Sequence, residues 1–212
     1  MTNASSLLQE ILAVVDKDLP THDVLYHHRG QTGDMHFDGV DEGEADKPLK
    51  LAAVLVGLVP GVNKELEILL TRRADHLDSH SGQVAFPGGK VEAGDASPLE
   101  AALREAHEEI GLHPEFVEVA GFLDTYETGT GFRVLPVVAS LRAGFSLTAD
   151  KNEVADIFRV PARVALDEKN YTAHDVEWEG RQRKYYALQY EGYKIWGATA
   201  GMLVNMGRRL KI

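Results

Sequence analysis

With 212 residues, 44% of them apolar, the chain is long enough for one domain with a full core. A formal net charge of −11 disfavours a broad nucleic-acid-binding surface but leaves room for a local cationic pocket that takes a small anion. There is no run of about 18 apolar residues, so no membrane span or membrane partner is expected. A basic stretch followed by an apolar core is also absent from the start, so no signal peptide is expected either. Without cysteine the chain can form no disulfide and do no thiol chemistry, which suits a cytoplasmic location.

In chain order, residues 5–17 predict a short amphipathic helix with Leu7, Leu8, Ile11, Leu12 and Val15 on one side. Residues 29–49 are rich in Gly, Asp and Glu without a period and predict a loop. Residues 51–59 form a continuous apolar run ending at Pro60-Gly61, as in a buried strand, and residues 66–72 supply an antiparallel partner. Residues 83–86 read as a brief strand entering Pro87-Gly88-Gly89, with Phe86 a core residue. A helix begins at Ser97-Pro98-Leu99-Glu100. Ser97 caps it, Pro98 suits its first position and Glu100 completes a capping box. Leu99, Ala102, Leu103, Ala106 and Ile110 are its apolar stripe, and Gly111 its left-handed end. Strands are expected at 116–126, 132–141, 154–160, 171–178 and 184–190, a short helix at 161–166 and a closing helix at 199–210. This alternation predicts an α/β (α+β) fold, with residues 1–45 a helix-and-loop extension and residues 46–212 the main domain.

Glu105, Glu108 and Glu109 share one stripe of the 98–110 helix, at i, i+3 and i, i+4. Like charges at that spacing cost roughly 0.2–0.5 kcal/mol each, and the C-terminal half of a helix disfavours anions further. Taken alone the stripe fits either a solvated acidic face or a site for a divalent cation with oxygen ligands, Mg²⁺ or Mn²⁺. His107, off the stripe, reads as an exposed helix residue.

The stretch from Gly89 to Leu112 resembles the Nudix box, G-x5-E-x7-R-E-U-x-E-E-x-G-U with U aliphatic. Gly89, Arg104, Glu105, Ala106, Glu108, Glu109, Gly111 and Leu112 match. The first acid is Asp95, one residue farther from Arg104 than in the usual motif. Residues 69–89 resemble the flank of the coenzyme A diphosphatase subfamily, L-L-T-x-R-S-x-x-L-R-x-H-x-G-x-V-x-F-P-G-G, through Thr71, Arg73, His80, Gly82 and Phe86 among others. Residues 195–200 resemble that subfamily's I-W-G-x-T-A segment, and the shifted acid is also found there.

The resemblance implies a Nudix fold, an α/β/α sandwich with a mixed central sheet. It implies hydrolysis of coenzyme A or a derivative to 3′,5′-ADP and 4′-phosphopantetheine, with Mg²⁺ or Mn²⁺ held by Glu105, Glu108, Glu109 and the Gly89 carbonyl. ADP-ribose or NADH are alternative substrates, and a non-catalytic nucleotide-sensing domain is a third reading. Arg104 would pair with Asp95 and brace the loop against the helix. Glu153 matches a late acid that serves as general base or metal ligand, and Glu127 is a weaker candidate. Arg73 and Arg72 could bind phosphate or be surface residues; His80 could bind phosphate or brace its loop. Trp196 and Tyr193 could stack on a base or pack the start of the last helix. Arg181, Arg183 and Lys184 form a basic patch that could meet a 3′-phosphate or be plain surface. Proteins of this kind are often homodimers, but no interface is legible.

Overall fold

The computed structural model describes residues 4–26, 32–33, 49–61, 65–178 and 181–212. Two helices, α1 (Ala4–Val14) and α2 (His22–Tyr26), precede a two-residue strand, β1 (Thr32–Gly33). The predicted loop at 29–49 thus contains a strand, and its residues 29–31 and 34–48 lie outside the described residues. The first long strand is β2 (Lys50–Pro60), followed by β3 (Leu66–Arg73), β4 (Val84–Ala85) and β5 (Gly88–Lys90). Helix α3 (Pro98–Ile110) leads to β6 (Val117–Phe122), β7 (Tyr126–Glu127), β8 (Phe132–Leu141) and β9 (Val154–Pro161). After α4 (Ala162–Leu166) come β10 (Thr172–Trp178), β11 (Arg181–Tyr190), β12 (Tyr193–Trp196) and α5 (Gly197–Leu210).

The main sheet runs β1-β7-β8-β2-β3-β4, with β5 also on β2, β6 on β8 and β9 on β3. It is mixed, because β2 lies parallel to β8 and β1 to β7 while β2 and β3 are antiparallel, as expected. The apolar run of β2 serves two cores at once. Ala52, Val56 and Leu58 enter the core shared with α1, α4 and α5, whereas Leu51, Ala53, Leu55 and Val59 enter the core under α3. A strand buried on both faces has no use for polar alternation. Helices on both faces make the expected α/β/α sandwich, an α/β fold.

Helix α3 is capped by Ser97, whose Oγ accepts from Glu100 N at 3.2 Å, and ends at Gly111 with φ 67°. The predicted capping box does not close. Glu100 Oε2 instead accepts from Ala96 N at 2.6 Å, one residue before the cap. Ala101, Ala102, Ala106 and Ile110 are fully buried while Leu99 and Leu103 are only partly covered. Small residues at the contact let the helix sit close to β2 and β5.

Three other expectations need correction. The single strand at 116–126 is two, because Asp16 pairs with Phe122 by backbone bonds of 2.9 and 2.8 Å. Gly121, at φ 154°, leaves room for that carbonyl where a side chain would collide. The glycine-rich loop is itself paired, with Gly88, Gly89 and Lys90 opposite Val54, Ala53 and Ala52. Strand β12 was not predicted, and it completes a second sheet, β10-β11-β12, beside α5. Within the described residues no helix is long and apolar enough to cross a membrane.

The N-terminal segment packs on the rest. Leu7, Ile11 and Val15 are buried in the α5-side core, and Arg209 Nη1 donates to the Val14 carbonyl at 3.0 Å.

Candidate active site

The strand pairing of β5 fixes the loop, and α3 aims two of its three acids at it. Gly88 N donates to Glu109 Oε2 at 3.1 Å. A Cβ on Gly89 would lie 2.6 Å from the Glu105 carboxylate, so the Glu105 oxygens rest against bare backbone. Glu109 is only 4% exposed. Burial pushes its pKa up to about 7, and the charges of Glu105 and Glu153 push the same way. Burial also raises Glu105, against the pull of Arg104.

Arg104 grips Asp95 with two bonds, Nε to Oδ1 at 2.9 Å and Nη2 to Oδ2 at 3.0 Å. Its Nη2 also reaches the Lys90 carbonyl at 3.3 Å. The guanidinium holds the Asp95 carboxyl below the usual range, helped by the Glu92 N–H. The expected brace between loop and helix is therefore present. Nη1 of the same group contacts Glu105 at 3.0 Å and Glu108 at 2.9 Å. As the side chains stand, no three acids or histidines among the described residues converge on one metal position. Glu108 is turned outward to Arg104, with its side chain 55% exposed.

Arg73 comes from the end of β3. Its Nη1 lies 3.9 Å from Glu109 Oε1, and its Nε is buried without a hydrogen-bond partner. Glu153, exposed in the turn before β9, is tied to this strand end because its carbonyl accepts from Ala74 N at 2.8 Å. Glu105, Glu109, Arg73, Gly88 and Gly89 thus lie together, with Glu153 near enough for its charge to act on both acids. A buried carboxylate at a glycine backbone, an orphaned guanidinium donor and a rim carboxylate suit a cation-assisted reaction on phosphate.

A model described as "NUDIX domain" matches residues 50–186. The chain belongs to the Nudix family. An "Uncharacterized Nudix hydrolase NudL" of Enterobacter sp. (strain 638) is 43% identical over 159 residues, covering 75% of this chain and 82% of that one. A protein of the same description from Salmonella paratyphi B is 41% identical over 165 residues, covering 76% and 83%. Among solved structures, a Nudix hydrolase from M. smegmatis, RenU, aligns with TM-score 0.48 and 23% identity over 57% of this chain and 78% of that one. The protein is a Nudix pyrophosphohydrolase, an enzyme acting on a nucleoside diphosphate derivative.

The other candidate residues have the following surroundings. His80, at φ 57°, bonds through Nδ1 to Gln83 Oε1 at 3.0 Å and braces its own turn. Arg72 lies on the other face of β3, paired with Asp75 at 2.6 Å. Opposite it stands Asp156, which accepts from the Tyr193 hydroxyl, and Tyr193 stacks on Phe158 at 3.7 Å. Trp196 ends β12, with its ring 5.5 Å from Tyr185 and Lys194 Nζ at 5.4 Å. Glu127, the weaker catalytic candidate, lies at the end of β7. It binds Arg133 at 2.6 Å, and Arg133 also donates to the Leu25 carbonyl at 3.0 Å. His107 is exposed, as expected. The side chains of Arg181 and Arg183 lie outside the described residues. Lys184 lines a cavity of about 550 Å³ with Tyr126, Tyr185, Tyr186 and Arg208, away from the acids.

One link had no signal in the sequence. Thr199 Oγ1, buried at the start of α5, donates to the Val84 carbonyl at 3.0 Å. It joins the two segments that resemble the coenzyme A diphosphatase subfamily, 115 residues apart in the chain.

Proposed function

We propose that this Nudix enzyme hydrolyses the diphosphate of coenzyme A or its acyl forms, giving 3′,5′-ADP and 4′-phosphopantetheine. The observation that carries this choice of substrate is the Thr199–Val84 bond. It seats the C-terminal signature segment directly on β4, the strand that feeds the Gly88-Gly89 loop.

Glu105, Glu109 and the Gly89 carbonyl would hold Mg²⁺ or Mn²⁺, with Glu108 joining them on release from Arg104. The residues present fit such an ion. The donors are all oxygen, and the cation paired with the buried Glu109 among the described residues is Arg73 at 3.9 Å, too long for a hydrogen bond. When bound, the ion neutralises diphosphate oxygens and acidifies water. Arg73 is the phosphate ligand, since its unpartnered Nε gains an acceptor when an oxygen arrives. Glu153, on the solvent rim, takes the proton of the attacking water. Arg104 does no chemistry and keeps loop and helix in register through Asp95. Water adds to one phosphorus as the bond from that phosphorus to the bridging oxygen breaks, and no covalent enzyme intermediate is needed.

The test is a panel of coenzyme A, acetyl-coenzyme A, ADP-ribose, NADH and nucleoside triphosphates with purified protein and Mg²⁺ or Mn²⁺, products identified by mass. Coenzyme A or its acyl form should give the highest kcat/KM, by about tenfold or more. Faster turnover of ADP-ribose or a triphosphate would overturn the choice of substrate.

A further inference from the structure

On the face of the main sheet away from α3, two ammonium groups lie near one aromatic ring, neither paired with a carboxylate among the described residues. Lys50 Nζ and Lys90 Nζ lie 6.0 and 5.9 Å from the centroid of the Phe132 ring. The strand register causes this. Lys50 stands opposite Phe132, and Lys90 stands opposite Ala52, whose other neighbour is Val134. Ala52 and Val134 belong to the α5-side core, and Phe132 packs against it. Both lysines are exposed, and neither ammonium is paired with a carboxylate among the described residues. In a chain with 33 acids against 22 Lys and Arg, that is an unusual place to leave two cations together. The ring attracts each cation but neutralises neither. A dianion between them would.

The position ties the pair to the reaction. Gly89 faces Glu105 on the α3 side, and the alternation of β5 sends the next residue, Lys90, to the opposite face. A diphosphate at the edge of β5 therefore has the acids on one side and the two ammonium groups on the other. Adjacent strands are about 5 Å apart, so the span from Lys90 across Ala52 to Val134 is about 10 Å. This is the scale of one nucleotide.

We propose that Lys50 and Lys90, over Phe132, form a subsite for a second phosphate, a monoester on the ribose of the nucleotide whose diphosphate is cleaved. The inference rests on the reading of the carboxylate site given above and adds the group that the site selects. Two compact ammonium groups suit a phosphate approached from two directions, and their aliphatic stems rest on apolar surface.

The test is calorimetric titration of the whole protein in metal-free buffer with adenosine 3′,5′-bisphosphate, 5′-AMP and inorganic phosphate, repeated with the double variant Lys50→Gln/Lys90→Gln. The wild type should bind the bisphosphate about 10- to 100-fold more tightly than 5′-AMP, an advantage that shrinks with added salt. In the double variant the ratio should collapse to within about threefold, at an unchanged melting temperature because both side chains are exposed. A wild-type ratio near one would overturn the proposal without any variant, as would an unchanged ratio in the variant. Inorganic phosphate binding as tightly as the bisphosphate would also overturn it, leaving a free-anion site. Hydrolysis separates the two readings. The predicted binding ratio without turnover of coenzyme A would sink the assigned substrate and keep the subsite. Equal kcat/KM for coenzyme A and its 3′-dephosphorylated form would keep the reaction and remove the subsite.

Discussion

Glu109 and Glu108 are neighbours in the chain, yet one is 4% exposed and the other turns outward to Arg104. The 3.6-residue period put both on one stripe and could not rank them, because burial depends on how far α3 sinks toward β2. Folding raises the pKa of Glu109 from the ordinary 4.5 to about 7, so the folded protein binds that proton more tightly than the unfolded chain. Without metal, this group therefore lowers stability at pH 8, by something on the order of 2–3 kcal/mol, and the penalty fades as pH falls through 7 toward 4.5. Glu109→Gln keeps an acceptor for the Gly88 N–H and removes the charge. Its metal-free melting temperature at pH 8 should equal or exceed that of the wild type, with the gap closing near pH 5, while kcat falls at least about 100-fold. Scanning calorimetry at the two pH values and a turnover assay check both parts. Full turnover in the variant would dismiss the metal site.

Loop and helix act as one element because Asp95 and Arg104 join them. This junction was legible in sequence since its contacts are short in chain separation: Asp95 to Arg104, Ser97 to Glu100, Gly111 to His107. The one-residue shift of the acid does not prevent the pairing. Asp95→Asn should cost about 1 kcal/mol at neutral pH, since the pair is partly exposed. The Asp95 pKa is depressed on folding, so its contribution is present above the unfolded value of 3.8 and disappears as pH falls through the lower folded value. The loss expected from Asp95→Asn is therefore visible in urea titrations at pH 7 and shrinks as the pH is lowered through the folded value. Faster amide exchange across residues 88–95 should accompany it. The pairing of β5 was not legible, because two glycines and a lysine carry no strand signal.

Residues 1–45 share nothing with the family motifs, yet α1 fills the same core as β2, β3 and α5. Arg133 from β8 and Arg209 from α5 both donate to carbonyls of this segment. Ile11→Ala should therefore destabilise the whole molecule by about 2–4 kcal/mol, in a single unfolding transition followed by chemical denaturation. A separate early transition, or no change, would show that α1 is an appendage. The second sheet was only half foreseen. Strands were expected at 171–178 and 184–190, where β10 and β11 lie, but β12 has four residues and its pattern runs straight into the helix that follows.

Sequence by itself determined the family, the capped helix with its acid stripe and the α/β layering. These rest on periodicity and on contacts between near neighbours, which spacing encodes directly. Tertiary structure alone decided that Glu109 is the buried acid, that Arg73 rather than Arg72 faces it and that Glu127 pairs with Arg133. It also decided that Lys50 and Lys90 meet over Phe132 and that Thr199 reaches Val84. Each of these depends on strand register or on how closely a helix packs. A shift of one residue in either would send the same side chain to the opposite face.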